Sequence, residues 1–283
     1  MIATAARILH LAGQIRCRSE RASRVEDDHC PVDLQRARLN HRNACPPEIA
    51  TLRVADFFCG CGGTSEGLRL AGMDIVFGLD FEHEAAATYQ KNFPRATFFE
   101  RDILDVDPVE VEQVLGETSG PLVLSACAPC QPFSTFRQKS ANSERSRSLL
   151  PALLPFVTDL GPDFVLVENV PGIQSATDGP LIAFVAGLRT RGYRVQWEVV
   201  DCQHYGVPQR RRRLVLLATR HGEVSIPDPT HGPGRAPVST VAEWIADLPE
   251  LKAGQSDATV ANHVCGAVGE LNLRRLRASV VSR

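Results

Sequence analysis

Val54-Ala55-Asp56-Phe57-Phe58-Cys59-Gly60-Cys61-Gly62-Gly63 runs from an apolar stretch straight into a glycine-rich turn. Glycines at a strand end permit a tight turn and a close approach of ligand to backbone. The pattern predicts a helix over 64–71, so the unit reads strand, glycine loop, helix. The same alternation continues downstream. Runs at 74–79, 96–99, 121–125, 163–167, 193–200 and 214–219 read as strands, and 82–92, 149–160 and 180–191 as helices. Strands alternating with helices predict an α/β fold with a doubly wound, mostly parallel, Rossmann-like sheet.

The flanks read differently. Residues 1–50 show little hydrophobic periodicity and are expected to be a poorly ordered extension, with a small accessory domain as the alternative. Residues 51–222 form the expected catalytic domain, and 223–283 a partial C-terminal segment. In that segment Pro227, Pro229, Pro233 and Pro237 break any long element. Thr240-Val241-Ala242-Glu243 is a capping box that opens a short helix through 247, and 271–276 is weakly helical.

The 283 residues are 43% hydrophobic and 23% charged, enough for one large α/β domain or two small ones. A formal net charge of −2 does not by itself indicate a nucleic-acid partner. Lysine occurs only at Lys91, Lys139 and Lys252, whereas arginines cluster at Arg210-Arg211-Arg212-Arg213. Arginine suits phosphates and base edges, but its enrichment also fits coding bias. Nine cysteines at irregular spacing read as reduced thiols of a cytoplasmic protein. The start has no signal-peptide core, and no stretch approaches the roughly 20 apolar residues of a membrane span.

The glycine loop does not have dinucleotide G-x-G-x-x-G spacing, which disfavours NAD. Asp80 ends the second strand, where it can meet ribose hydroxyls; Asp102, after the third, can accept from an adenine amino group. A helix N-terminus attracts a carboxylate. Together these suit S-adenosyl-L-methionine. The plainer alternative makes the glycines a turn and both acids loop residues.

Three further elements converge on the same sheet edge: Pro129-Cys130-Gln131, Glu168-Asn169-Val170-Pro171, and Gln209 with the four arginines after it. At these residues the chain resembles the cytosine-C5 DNA methyltransferase family. The glycine-rich loop, strand-end acid, Pro-Cys-Gln loop, Glu-Asn-Val strand end and Gln-x-Arg-x-Arg strand start follow in family order from about 53 to 272. The resemblance implies a double-stranded DNA substrate and S-adenosyl-L-methionine as methyl donor. It implies cofactor contacts from Phe58, Gly60, Gly62, Gly63, Asp80, Asp102, Ile103, Pro129 and Leu150, and no metal. DNA-type tRNA methyltransferases share the Pro-Cys-Gln and Glu-Asn-Val signatures.

The implied chemistry explains the residue types. Cytosine C5 is too weak a nucleophile to take a methyl group unaided. Attack of the Cys130 thiolate on C6 makes the ring an enamine with electron density at C5. Glu168 assists at N3, Asn169 orients the loop, and Arg211 and Arg213 hold the base carbonyl and nearby phosphates. The target base must leave the duplex stack, and the segment after Ser134 is expected to close over it. Two other readings of the cysteines stand beside this one: a redox pair at Cys127 and Cys130, and a zinc set adding Cys59 and Cys61, for which the spacing is poor.

The chain departs from the family pattern at its C-terminus. It stops where the target-recognition region is expected, with no Arg-Glu-x-x-Arg or Gly-Asn-Ala-Val-Pro segment, and residues 1–50 do not supply them by permutation. The expectation is a catalytic half that works with a separate polypeptide carrying the recognition region, or an inactive fragment.

Overall fold

The computed structural model describes residues 51–116, 120–129, 149–175 and 179–280. Cys130, the expected closing segment after Ser134 and the N-terminal extension lie outside the described residues.

The sheet has seven strands: β1 (Arg53–Phe57), β2 (Asp74–Asp80), β3 (Thr97–Glu100), β4 (Leu122–Ala126), β5 (Phe164–Asn169), β6 (Arg194–Asp201) and β7 (Arg212–Thr219). Their order is β3-β2-β1-β4-β5-β7-β6. The first five are parallel, and β7 runs antiparallel to both β5 and β6. Chain direction across the sheet reverses between β1 and β4. Open α/β sheets bind ligands at such a switch point, outside the carboxyl ends of the strands.

Strand alternation sorts side chains between two layers. On one face Ala55, Phe57, Leu124 and Val167 pack against Val111 and Leu115 of α3 (Pro108–Leu115), Phe156 of α4 (Leu154–Leu160) and Phe184 and Leu188 of α5 (Pro180–Thr190). On the other, Val54, Val123, Leu166 and Val215 pack with Leu68 of α1 (Gly63–Leu70) and Tyr89 of α2 (His83–Asn92). Parity therefore assigns Asp56, Ser125, Glu168 and Arg213 to the α1–α2 face.

Gly78 makes room for that second layer. A Cβ there would lie 2.5 Å from the Tyr89 ring, which is itself fully buried. Gly78→Ala is expected to destabilise the fold by about 1–3 kcal/mol through overpacking, read as a lower denaturant midpoint at unchanged slope.

Two elements differ from the sequence expectation. The helix expected over 149–160 begins as a 3₁₀ turn, Pro151–Leu153, before α4. Pro151 and Pro155 lack the N–H groups a continuous helix needs past its first turn. Helix α3 is absent from the sequence reading, although its start signal is present. Asp107 and Glu110 form a capping box around Pro108 at the first turn.

The first compact unit extends through Val238, and the second spans Ser239–Arg283. Residues 224–231 belong with the first. Ile226 is buried there, Tyr205 Oη donates to Pro227 O at 2.9 Å, and His204 O accepts the Thr230 and His231 N–H groups. The second unit contains α6 (Val241–Ile245) and α7 (Glu270–Val280). The Thr240–Glu243 capping box forms as the sequence predicts, and its helix ends at Ile245. None of this unit's described residues is buried, and Val241, Trp244 and Ile245 are each more than half exposed. Among the described residues no helix is long and apolar enough to cross a membrane.

Candidate active site

The glycine loop leaves β1 through a strained turn. Phe58, Gly60 and Gly62 have φ of 54°, 52° and 92°. Glycine takes this conformation freely, whereas Phe58 takes it at a cost of order 1 kcal/mol or more. A Cβ on Gly60 or Gly63 would meet nothing within 4 Å, so the loop faces open space. Gly62 is the N-cap of α1 and provides no side-chain cap.

Asp80 is turned toward this loop. One carboxylate oxygen accepts the Gly60 N–H at 2.8 Å and the other the Glu82 N–H at 3.0 Å. A carboxylate has about four acceptor positions, so capacity for further donors remains. Asp102 accepts the Leu104 N–H at 3.0 Å and so starts the turn Ile103–Asp105. Ile103 and Leu150 sit in the core at 3% and 2% exposure. Phe81, which the sequence reading passed over, is 59% exposed immediately after Asp80.

The chemistry side adjoins the loop. Cys127 N–H donates to Phe57 O at 3.3 Å, and the Cys127 thiol lies 3.1 Å from Thr64 Oγ1 of α1. The carboxyl end of β4 is thereby joined to both the end of β1 and the start of α1. Asn169, at 3% exposure, donates from Nδ2 to Ala128 O at 3.1 Å and accepts the Val170 N–H at Oδ1. The amide thus grips the backbone two residues before Cys130. Pro129 is half-buried beside it.

Glu168 and Arg213 form an ion pair, with Arg213 Nε 2.7 Å from Glu168 Oε1. Both side chains are about one-fifth exposed, and the N–H direction falls short of a well-formed hydrogen bond. Burial pushes the Glu168 carboxyl above the ordinary glutamate range, and the charges of Arg213 and Arg211 oppose that rise. Arg211 is anchored by its backbone: its N–H donates to Asp201 Oδ1 at 3.3 Å, its carbonyl accepts from Cys202, and its buried Nε has no partner among the described residues. Arg210 and Arg212 are exposed, while Arg211 and Arg213 turn inward, the alternation expected at a strand start. Because β7 is antiparallel to β5, its first residues stand at the edge where β4 and β5 end.

The sequence profile of the C-5 cytosine-specific DNA methylases matches residues 52–268. The chain belongs to this family. A type II methylase of Herpetosiphon aurantiacus, M.HgiDII, is 34% identical over 228 residues, covering 80% of this chain and 63% of the relative. The type II methyltransferase M.AgeI of Thalassovita gelatinovora is 34% identical over 221 residues, covering 70% and 51%. The chain thus spans between about half and two thirds of these relatives' lengths. A solved Spodoptera frugiperda DNMT2 variant shares the fold, with a TM-score of 0.52 and 23% identity over 66% of this chain and 57% of that one. Within the C-5 cytosine methylase family, the glycine loop, strand-end acid and convergent Glu168–Arg213 pair of this chain occupy one edge of one sheet.

Proposed function

We propose that this chain methylates C5 of cytosine in double-stranded DNA, with S-adenosyl-L-methionine as donor and Cys130 as covalent nucleophile. One observation carries the reading: the Asn169 clamp on Ala128 and the Glu168–Arg213 pair stand beside the glycine loop at the sheet's switch point. The site's features suit the cofactor. They are a glycine at the N-cap of α1, open space over Gly60 and Gly63, an acid with spare acceptor capacity at Asp80, and an exposed aromatic at Phe81. Phe58, Gly60, Gly62, Gly63, Asp80, Asp102, Ile103, Pro129 and Leu150 would hold it, with Phe81 against the adenine. When bound, it supplies an electrophilic methyl group.

The protein's own groups prepare the base. The Cys130 thiolate forms a C–S bond at C6, and the ring electrons move toward C5 and N3. Glu168, its carboxyl raised by burial, gives or shares a proton at N3. Arg213 holds Glu168 in place and faces the base carbonyl, and Arg211 takes a phosphate or the same carbonyl. Once C5 carries the methyl group, loss of its proton to a base expels the Cys130 thiolate and restores the ring. The base-edge contacts that choose a sequence would come from a further polypeptide segment. The exposed Val241, Trp244 and Ile245 of α6 are consistent with such a partner.

The test is transfer of tritiated methyl from S-adenosyl-L-methionine by the 283-residue chain to duplex DNA and, separately, to tRNA. Label at C5 of DNA cytosine supports the proposal. Label in tRNA alone reassigns the substrate. No transfer, with or without an added recognition segment, refutes catalysis by this chain.

A further inference from the structure

Asp56 is a fully buried acid that the proposed mechanism does not use. It lies one residue before the end of β1, on the α1–α2 face. Its Oδ2 accepts the Ser65 hydroxyl at 2.6 Å, and the same hydroxyl lies 3.1 Å from Tyr89 Oη. The Ser65 backbone N–H also faces the carboxyl, so a negative group sits beneath the first turn of α1. On the opposite side Ser125 is its register partner in β4. Asp56 Oδ1 and Ser125 Oγ are both buried without a hydrogen-bond partner among the described residues.

A carboxylate here buries a charge and turns its second oxygen toward the side of Ser125, whose hydroxyl is an O–H donor. Asparagine would keep an acceptor for Ser65 and bury no charge. Burial pushes the Asp56 carboxyl up to about 6, even though Ser65 and Ser125 favour the ionised form. Groups facing it from neighbouring elements do not relieve the charge. Asp80 at the end of β2 repels it, Tyr89 of α2 is a neutral phenol, and Cys59 and Cys127 are neutral thiols pushed up by burial and by this acid. The field of Asp56 therefore reaches the ends of both β1 and β4. Asp56 and Asp80 thus place two carboxyl groups near the start of α1.

We propose that Asp56 is a specificity-determining counter-charge that makes this site prefer a sulfonium ligand over its neutral thioether product. This deepens the proposed cofactor assignment and rests on it. A methyl donor carries a positive sulfur that the demethylated product lacks, so a fixed negative charge under the loop binds the first more tightly and favours release of the second. Asp56 makes no contact with the ligand in this scheme and acts through its field.

The experiment is calorimetric titration of the full chain with S-adenosylmethionine and S-adenosylhomocysteine, at about pH 5 and about pH 7, alongside thermal melts. In the wild type the affinity ratio of donor to product should be larger at neutral pH and fall about five- to fifteen-fold at the lower pH, the size expected for a partly screened attraction of unit charges at an intermediate effective dielectric. Asp56→Asn should show the low ratio at both pH values. The melts carry the opposite sign. The folded pKa, about 6, exceeds the ordinary value of 3.8, so the stabilising proton is lost as pH rises between them. Asp56→Asn should therefore melt at or above the wild type near neutral pH. An equal ratio in wild type and Asp56→Asn would overturn the proposal. Failure of the wild type to bind either ligand would instead overturn the cofactor assignment, and this inference with it. If Asp56→Asn does not fold, Ser65→Ala decides. It keeps the charge but removes a donor that stabilises it, so the pH midpoint of the ratio must move upward, and an unmoved midpoint refutes the role.

Discussion

Cys130→Ser is expected to abolish methyl transfer, with a fall of about 10⁴-fold or more, as for loss of other covalent nucleophiles. A thiol is a few per cent ionised near neutral pH and intrinsically nucleophilic, whereas a serine hydroxyl is neither without a strong base beside it. The informative control is Cys127→Ser. Cys127 lies three residues earlier, so sequence alone leaves either thiol available for attack at C6. The fold disfavours Cys127. The Cys127 thiol is packed against Thr64 Oγ1, and burial together with the Glu168 carboxylate pushes its ionisation far upward. The thiolate is the reacting form, so Cys127 is a poor nucleophile where it stands. Cys127→Ser should therefore still form a covalent adduct with DNA containing 5-fluorocytosine, and Cys130→Ser should form none. Denaturing gels read both outcomes. An adduct that survives Cys130→Ser and disappears in Cys127→Ser would transfer the nucleophile's role to Cys127.

Much of this site was legible because chemistry and strand period coincide. The run from Val54 to Gly63 announced a strand, a glycine turn and a helix, and the left-handed conformations at Gly60 and Gly62 are what such a turn requires. The inward placement of Arg211 and Arg213 between exposed Arg210 and Arg212 follows from alternation along a strand. The antiparallel direction of β7 was not legible, yet it alone carries those arginines to the edge where β5 ends. A strand's direction depends on its pairing partner, which local pattern does not record. Asp56 was passed over for a related reason. Within Val54-Ala55-Asp56-Phe57 it reads as one polar residue in an apolar strand. Its meaning appears only when Ser65, Tyr89 and Ser125 arrive from three other elements. Phe58 hid a different quantity. Its positive φ is a property of the turn, and no feature of phenylalanine predicts it.

Glu168→Gln is expected to lower kcat by about 10²–10⁴-fold, the range for loss of a general acid, and to remove one limb of the pH–rate profile. The sign follows from the environment. Desolvation raises the Glu168 carboxyl, so the protonated form persists to higher pH than for an exposed glutamate, and the step that needs a proton at N3 weakens as pH rises through that raised value. Glutamine keeps the shape and a weak N–H donor but cannot transfer a proton, so its residual rate should lack that limb. Arg213→Ala separates charge from contact. Arg213, 2.7 Å from Glu168 Oε1, is the largest influence holding the carboxyl down against burial. Its removal should move the Glu168 limb to higher pH while lowering kcat, because the acid becomes weaker and less well held. A merely structural Arg213 would lower the yield of folded enzyme and leave the limb where it was. A limb that stays in place in Arg213→Ala and persists in Glu168→Gln would mean that another group supplies the proton, and the Glu168–Arg213 pair would then serve only to join β5 to β7.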